Sequence, residues 1–365
     1  MQLQNNVKTS DEFSRKTTWL LLAIALNALE LFLPRIPFLP WLKPGVANVV
    51  TIIWIIKYGP ADAILYTILR SWISGFYFGF SFITLLLSLS GGILSTTVMG
   101  AVWVLLGRRK LIGTVGLGIT GAFFHNAAQL IVVYLTLTHN ISVFYQLPFM
   151  GIASLVFGGI VGLAVPALWT VLNASAPEAQ NRFSSLRKPD IFNSIITLSI
   201  LVFCICLFAI SNKFILLACI LVVTIVTVCL KKSFRYFFYP LRFWALFFFV
   251  FLTYLIIPYG TRLHRLPFLT IESIDAVTLQ FMRIWTWLEA GLLLQRFKFH
   301  ESFFYFLKVF FKNNVSTLES GIAALEYFPM IVSFVKSRKH FAGLDFIRKP
   351  LLSMTEYLYR LQQFI

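Results

Sequence analysis

The sequence predicts an all-α, polytopic transmembrane helical bundle, and three observations predict it. Of the 365 residues, 58% are hydrophobic and only 12% charged, about half the charged share of an ordinary soluble domain. Apolar runs recur at lengths near the roughly 20 residues that a helix needs to cross a hydrocarbon core about 30 Å thick. The cations fall in short segments between those runs. That is the positive-inside pattern of membrane proteins, and it argues against nucleic acid as a partner despite a formal net charge of +17.

The runs lie near 18–33, 45–57, 61–78, 82–106, 112–138 and 148–174, and then near 191–211, 213–230, 240–258 and 271–295. They give about ten spans, six plus four, by span length. Residues 1–17 read as a polar cytoplasmic tail without a removable signal peptide, because the first run is full-length and no small-residue cleavage site follows it. Residues 175–190, with Pro177, Pro189, Arg182, Arg187 and Lys188, have the composition of a cytoplasmic linker. The last of the ten runs is interrupted by Glu272, Asp275, Arg283 and Glu289. Beyond it, Phe303, Phe304, Phe306, Phe310 and Phe311 alternate with Lys308 and Lys312, a pattern that predicts amphipathic helices lying at the cytoplasmic interface. Residues 191–340 read as a second membrane region, and 341–365 as a cytoplasmic tail.

Orientation follows from the loops. Arg15 and Lys16, Lys57, Arg108 to Lys110, Arg187 and Lys188, and Lys231, Lys232 and Arg235 stand at every second boundary, with Arg35, Lys43, Arg262 and Arg265 as exceptions on the other side. These boundaries are assigned to the cytoplasm, with both termini inside. The cysteines, Cys204, Cys206, Cys219 and Cys229, lie within apolar runs without metal-binding spacing and read as small hydrophobes.

Polar side chains within the spans are the candidate functional residues, since each costs a few kcal/mol on insertion scales unless something satisfies it. Asn27 and Glu30 share one helix face. Arg70 is about ten residues from either end of its run, too deep for its stem to reach water comfortably. His125, Asn126 and Gln129 cluster in the middle of the fifth run, with His125 and Gln129 one turn apart. They offer donors and acceptors either to a polar solute or to neighbouring helices. No second histidine or carboxylate stands at metal-ligand spacing on that helix. Gly116, Gly118 and Gly121 match the spacing GxGxxG but follow no strand, so the dinucleotide reading fails. With Gly75, Gly79, Gly91, Gly92, Gly158 and Gly162 they instead allow close helix approach. Pro34, Pro37, Pro40 and Pro44, with Trp41 and Lys43, break helix between the first two runs and predict either a lid or a rigid connector.

The series Leu29-Glu30, Pro34, Pro37, Pro40, Lys43, Gly45, Ala47-Asn48, Arg70, Ser88 to Gly92, Met99, Gly121-Ala122, His125-Asn126, Gln129 and Leu147-Pro148 resembles the bacterial Gx transporter family. That family is also described as heptaprenyl diphosphate synthase component I. The resemblance covers about residues 18–174 and departs at Pro44, where an apolar residue followed by glycine is expected. It implies a six-span bundle similar to the substrate-binding S component of energy-coupling factor transporters, in the bacterial inner membrane. Glu30, Lys43, Asn48, Arg70, His125, Asn126 and Gln129 would then contact substrate. The second half looks more loosely like the T component of those transporters, on Arg283, the stretch Leu325 to Pro329 and the basic run Lys336 to Lys339. That likeness implies docking of soluble ATPase subunits through Arg338, although Arg338 lacks the flanking small residue and glycine of the T-component form.

Two functions follow as expectations. One is a transport subunit that binds a small polar solute or vitamin-like precursor and couples to separate ATPases. The chain itself has no GxxxxGK segment, so ATP belongs on the partners and no cofactor is expected here. The alternative is a non-catalytic membrane accessory of a polyprenyl diphosphate synthase. Asp11, Asp62, Asp190, Asp275 and Asp345 are scattered and form no DDxxD cluster to hold magnesium, so the chain reads as no enzyme on its own.

Overall fold

The computed structural model describes residues 2–30, 45–78, 82–174, 191–256, 261–263, 266–297, 299–311 and 314–325. Each of the ten apolar runs coincides with a helix: α1 Gln2–Glu30, α2 Asn48–Tyr58, α3 Pro60–Phe78, α4 Phe82–Val102, α5 Thr114–Val133, α6 Leu147–Ala174, α7 Ile191–Cys206, α8 Lys213–Lys231, α9 Trp244–Ile256 and α10 Ile271–Arg296. Two more follow, α11 Phe299–Phe310 and α12 Val315–Leu325. A short antiparallel hairpin, Arg262–Leu263 against Leu266–Thr270, precedes α10 and leaves the class all-α.

Among the described residues, five helical stretches are long and apolar enough to cross a membrane by length and composition: Phe82–Gly107, Thr114–Thr138, Ile141–Thr170, Lys213–Lys231 and Phe234–Leu255. The outward faces are apolar. Ile152, Leu155, Ile160 and Leu163 on α6, and Leu221, Val222 and Ile225 on α8, are all exposed, as lipid-facing positions should be. Cys206 and Cys229 share that exposure, whereas Cys204 is buried.

Glycine sets the closest helix contact. A Cβ on Gly158 of α6 would lie 2.6 Å from the carbonyl oxygen of Gly118 on α5, and Gly162 abuts the backbone of Thr114 and Val115. Only residues without side chains let two helix backbones meet this closely. Gly113 faces open space, and Gly116 meets Ile112 of its own segment. The GxGxxG spacing is therefore a packing stripe at only part of its length.

α1 begins well before the first apolar run. Its Phe13, Lys16 and Thr17 are already buried, so Lys16 is not the loop cation that its sequence context indicates. Its ammonium lies 2.9 Å from Asp62 Oδ2 at the start of α3 and donates to Ser316 Oγ of α12 at 2.9 Å. Trp54 Nε1 donates to Asp62 Oδ2 at 3.2 Å, and Asn314 Nδ2 and Thr317 Oγ1 both donate to Asp62 Oδ1 at 2.6 Å. Both carboxylate oxygens are filled.

This cluster fixes where α11 and α12 go. The pattern of aromatics predicts helices lying at an interface, but their apolar face is directed at the first bundle. Phe303 stacks on Trp72 with ring centroids 3.8 Å apart. Phe304 is buried beside Gly321, whose missing Cβ also makes room for Leu69. With Asn314 and Thr317 at Asp62 and Gly321 at Leu69, α11 and α12 form a hairpin packed on α3, with the start of α12 at the α3 N-terminus. Phe306 and Phe310 remain exposed on its other side.

The later helices close against the bundle as well. Trp287 of α10 donates to the Cys204 carbonyl at 2.9 Å and lies near Phe82 of α4. Ser142, in the α5–α6 connection, donates to the Thr253 carbonyl at 3.1 Å, and the Tyr254 hydroxyl donates to the Thr138 carbonyl. The charged residues of α10 find partners within this half, although the Arg283 Nε makes no hydrogen bond. Thr224 and Trp285 donate to the Glu289 carboxylate at 2.6 and 3.0 Å, and Arg283 donates to the Ile210 carbonyl at 2.6 Å.

Candidate functional site

A cavity of about 530 Å³ opens among α1, α2, α3, α4, α5, α6 and the start of α9, within the range of small-molecule sites. Six residues singled out from sequence line it together: Glu30, Asn48, Arg70, His125, Asn126 and Gln129. The other two, Lys43 and Arg338, and the proline-rich segment 34–44 lie outside the described residues, apart from Pro44's successor Gly45.

The α1 side comes first. Asn27 Nδ2 donates to Ser74 Oγ of α3 at 3.1 Å. Glu30 Oε1 accepts the backbone N–H of Ala47 at 3.3 Å, and Ala47 is the residue that caps α2. A carboxylate at that place answers the partial positive charge of a helix N-terminus. The chain reaches α2 through Gly45, whose φ of +71° is costly for other residues. The Gly45 carbonyl accepts the N–H of Asn48 at 2.8 Å.

Asn48 then faces Arg70. Both Nη1 and Nη2 of Arg70 donate to Asn48 Oδ1 at 3.2 Å, and Nη1 also donates to Thr51 Oγ1 at 3.3 Å. Arg70 is 5% exposed, and Tyr66 lies under its guanidinium at 5.9 Å. Its Nε makes no hydrogen bond, and neither does the adjacent Ser71 Oγ.

On α5 the three neighbours divide. Asn126 Nδ2 donates to Ser154 Oγ of α6 at 3.0 Å, and the Ser154 hydroxyl in turn donates to the Met150 carbonyl at 2.6 Å. Asn126 thus clamps two helices beside the cavity. Gln129 is 3% exposed and its Oε1 has no donor. The His125 imidazole sits over Gly91 of α4, where an added Cβ would come within 2.8 Å of the ring. The absence of a side chain at Gly91 is what gives the ring its place.

Several lining residues escape a reading by single runs. Ser71 and Ser74 follow Arg70 on α3, and serine in a span draws little notice because it returns its hydroxyl to its own helix readily. Arg242, Phe243, Trp244, Ala245 and Leu246 also reach the cavity. They come from the second half of the chain, at the head of a run that reads only as a lipid span. Among the described residues no group of three histidines, cysteines or carboxylates could hold a metal ion.

Residues 20–168 match the model of the family described as heptaprenyl diphosphate synthase component I. The matched stretch contains the six sequence-derived residues that line the cavity, and it ends before the second half of the chain. No curated protein and no solved structure matches this chain.

Proposed function

We propose that this chain is the membrane subunit of a transporter of the energy-coupling factor kind. It binds a small polar solute in the cavity of α1 to α6 and couples to separate ATPase subunits through its C-terminal half. One observation carries the reading: a cavity of about 530 Å³ collects buried polar groups from four helices, and Arg70 Nε, Ser71 Oγ and Gln129 Oε1 are left without partners inside the protein. Orphaned polar atoms away from water cost about 1–3 kcal/mol each, a cost that a bound solute removes. The hairpin of α11 and α12 docks on α3, which carries Arg70, so a partner acting on the C-terminal half has a solid path to the cavity. In this reading the chain is non-catalytic, ATP is bound by the partners, Arg338 contacts them, and the protein sits in a bacterial inner membrane with both termini in the cytoplasm.

A second reading is favoured by the description of the matched family: a membrane accessory of a prenyl diphosphate synthase. One experiment separates the two. The chain is purified in mild detergent from its native membrane, and co-purifying proteins and small molecules are identified by mass spectrometry. A pair of ATPase subunits together with a retained small molecule is the expected result. A soluble prenyl synthase subunit, with no small molecule retained, would overturn the transport reading in favour of the second.

A further inference from the structure

The charge arrangement of the cavity identifies the class of solute, an inference that rests on the solute-binding reading above. The lining holds two guanidinium groups, Arg70 and Arg242, and one carboxylate, Glu30. Glu30 is engaged with the start of α2 through Ala47 N–H, where the helix terminus already supplies positive charge. Arg70, although 5% exposed, is held by an amide oxygen and a hydroxyl, both neutral. No ion pair to it occurs among the described residues. A buried cation without a counter-charge is among the costlier features a fold can keep.

The geometry of its partners says which edge is unpaired. Nη1 and Nη2 converge on one oxygen, Asn48 Oδ1, so the end of the guanidinium fork is occupied. Nε, on the side edge with the second N–H of Nη2, has no acceptor. A guanidinium presents that edge to two oxygens of one carboxylate or phosphate, giving paired charge-assisted hydrogen bonds. Ser71 Oγ, on the next residue in the chain, is a hydroxyl without a partner, and Ser71 lines the cavity beside Arg70. Gln129 Oε1, on another wall of the cavity, is an acceptor that lacks a donor. Ile83, Leu85, Phe157 and Val161 make the remaining wall apolar.

We propose that the cavity binds a small organic anion. Its carboxylate or phosphate rests on the Nε edge of Arg70 and the Ser71 hydroxyl, and an N–H or O–H of the same molecule donates to Gln129 Oε1.

The test uses the full chain in lipid nanodiscs. Thermal unfolding is followed in sodium phosphate, sodium acetate and sodium chloride at one pH and matched ionic strength. A rise in Tm of about 2 °C or more over chloride is expected with at least one of the two anions. A rise with phosphate alone assigns a phosphate ester, and a rise with acetate alone assigns a carboxylate. Arg70→Lys keeps the charge but loses the edge, and Ser71→Ala is the milder change; each should shrink the rise. Equal Tm in all three salts overturns the anion assignment without depending on any variant. If the purified chain still carries a neutral or cationic solute, that assignment fails while the transport reading stands; if it carries none, both fail.

Discussion

α3 carries two buried ionic groups roughly two turns apart, and they are built in opposite ways. Asp62 receives four hydrogen bonds or ion pairs, from Lys16, Trp54, Asn314 and Thr317, and has no lone pair to spare. Arg70 has only neutral partners, and its Nε edge has none. A saturated network of this kind rigidifies and specifies one arrangement, whereas a half-satisfied one is a standing cost unless something outside the chain completes it. The first group therefore locks the C-terminal hairpin to the bundle, and the second faces a cavity.

Breaking the saturated group should have the largest effect on stability. Asp62→Ala removes the buried carboxylate shared by Trp54, Asn314, Thr317 and Lys16, and leaves Lys16, which is 4% exposed, only Glu12 and Ser316 as polar partners. A loss of about 3–5 kcal/mol is expected, the usual cost of removing one partner of a buried pair, read as a fall in the denaturant midpoint in detergent. The α11–α12 hairpin should become protease-sensitive in the same variant. If stability is unchanged, Asp62 is not a structural lock.

Next in size is the contact between α5 and α6, which forms one wall of the cavity. Gly158→Val places a side chain against the Gly118 carbonyl and should cost about 1–3 kcal/mol by overpacking, checked by the same unfolding assay. Asn126→Ala loses a single interhelical hydrogen bond to Ser154, and about 0.6 kcal/mol is the average worth of such a bond in a membrane bundle.

The unsaturated group should show the smallest change in stability. Arg70→Met strands no opposite charge; it leaves Asn48 Oδ1 without its donor but also removes a buried cation that lacks a counter-charge, and with the two offsetting the folded state should stay within about 1 kcal/mol of the parent, while retention of the co-purifying solute is lost. Gln129→Leu removes an orphaned acceptor and should likewise leave stability near the parent value while weakening solute retention several-fold. Large destabilisation by either would show that the group is structural and would erase the contrast with Asp62.

Within α5, Asn126 and Gln129 look alike in sequence, two amides in one apolar run, and the structure separates them by whether another helix answers. The expense of polar groups in a membrane makes each conspicuous, which is why Glu30, Asn48, Arg70, His125, Asn126 and Gln129 could be picked out one by one. Ser71 is less conspicuous, and Arg242 belongs to a distant run. Lys16 looks like an orientation signal beside Arg15, and Asp62 like one of five scattered aspartates. Neither residue has a local pattern that announces a pair.

The amino-acid sequence by itself determined the helical class and the places of ten helices, five of whose stretches among the described residues are long and apolar enough to cross a membrane, because bilayer thickness and backbone hydrogen bonding leave a long hydrophobic run few alternatives. It also determined which side chains are out of place in such helices. Only the tertiary structure decided which of those side chains are satisfied within the protein. Lys16 meets Ser316 across 300 residues, and Asp62 meets Thr317 across 255. Hydrogen-bond satisfaction is a relation between distant partners, so no local periodicity encodes it, and the contrast between a lock and an open cavity exists only once the helices have packed.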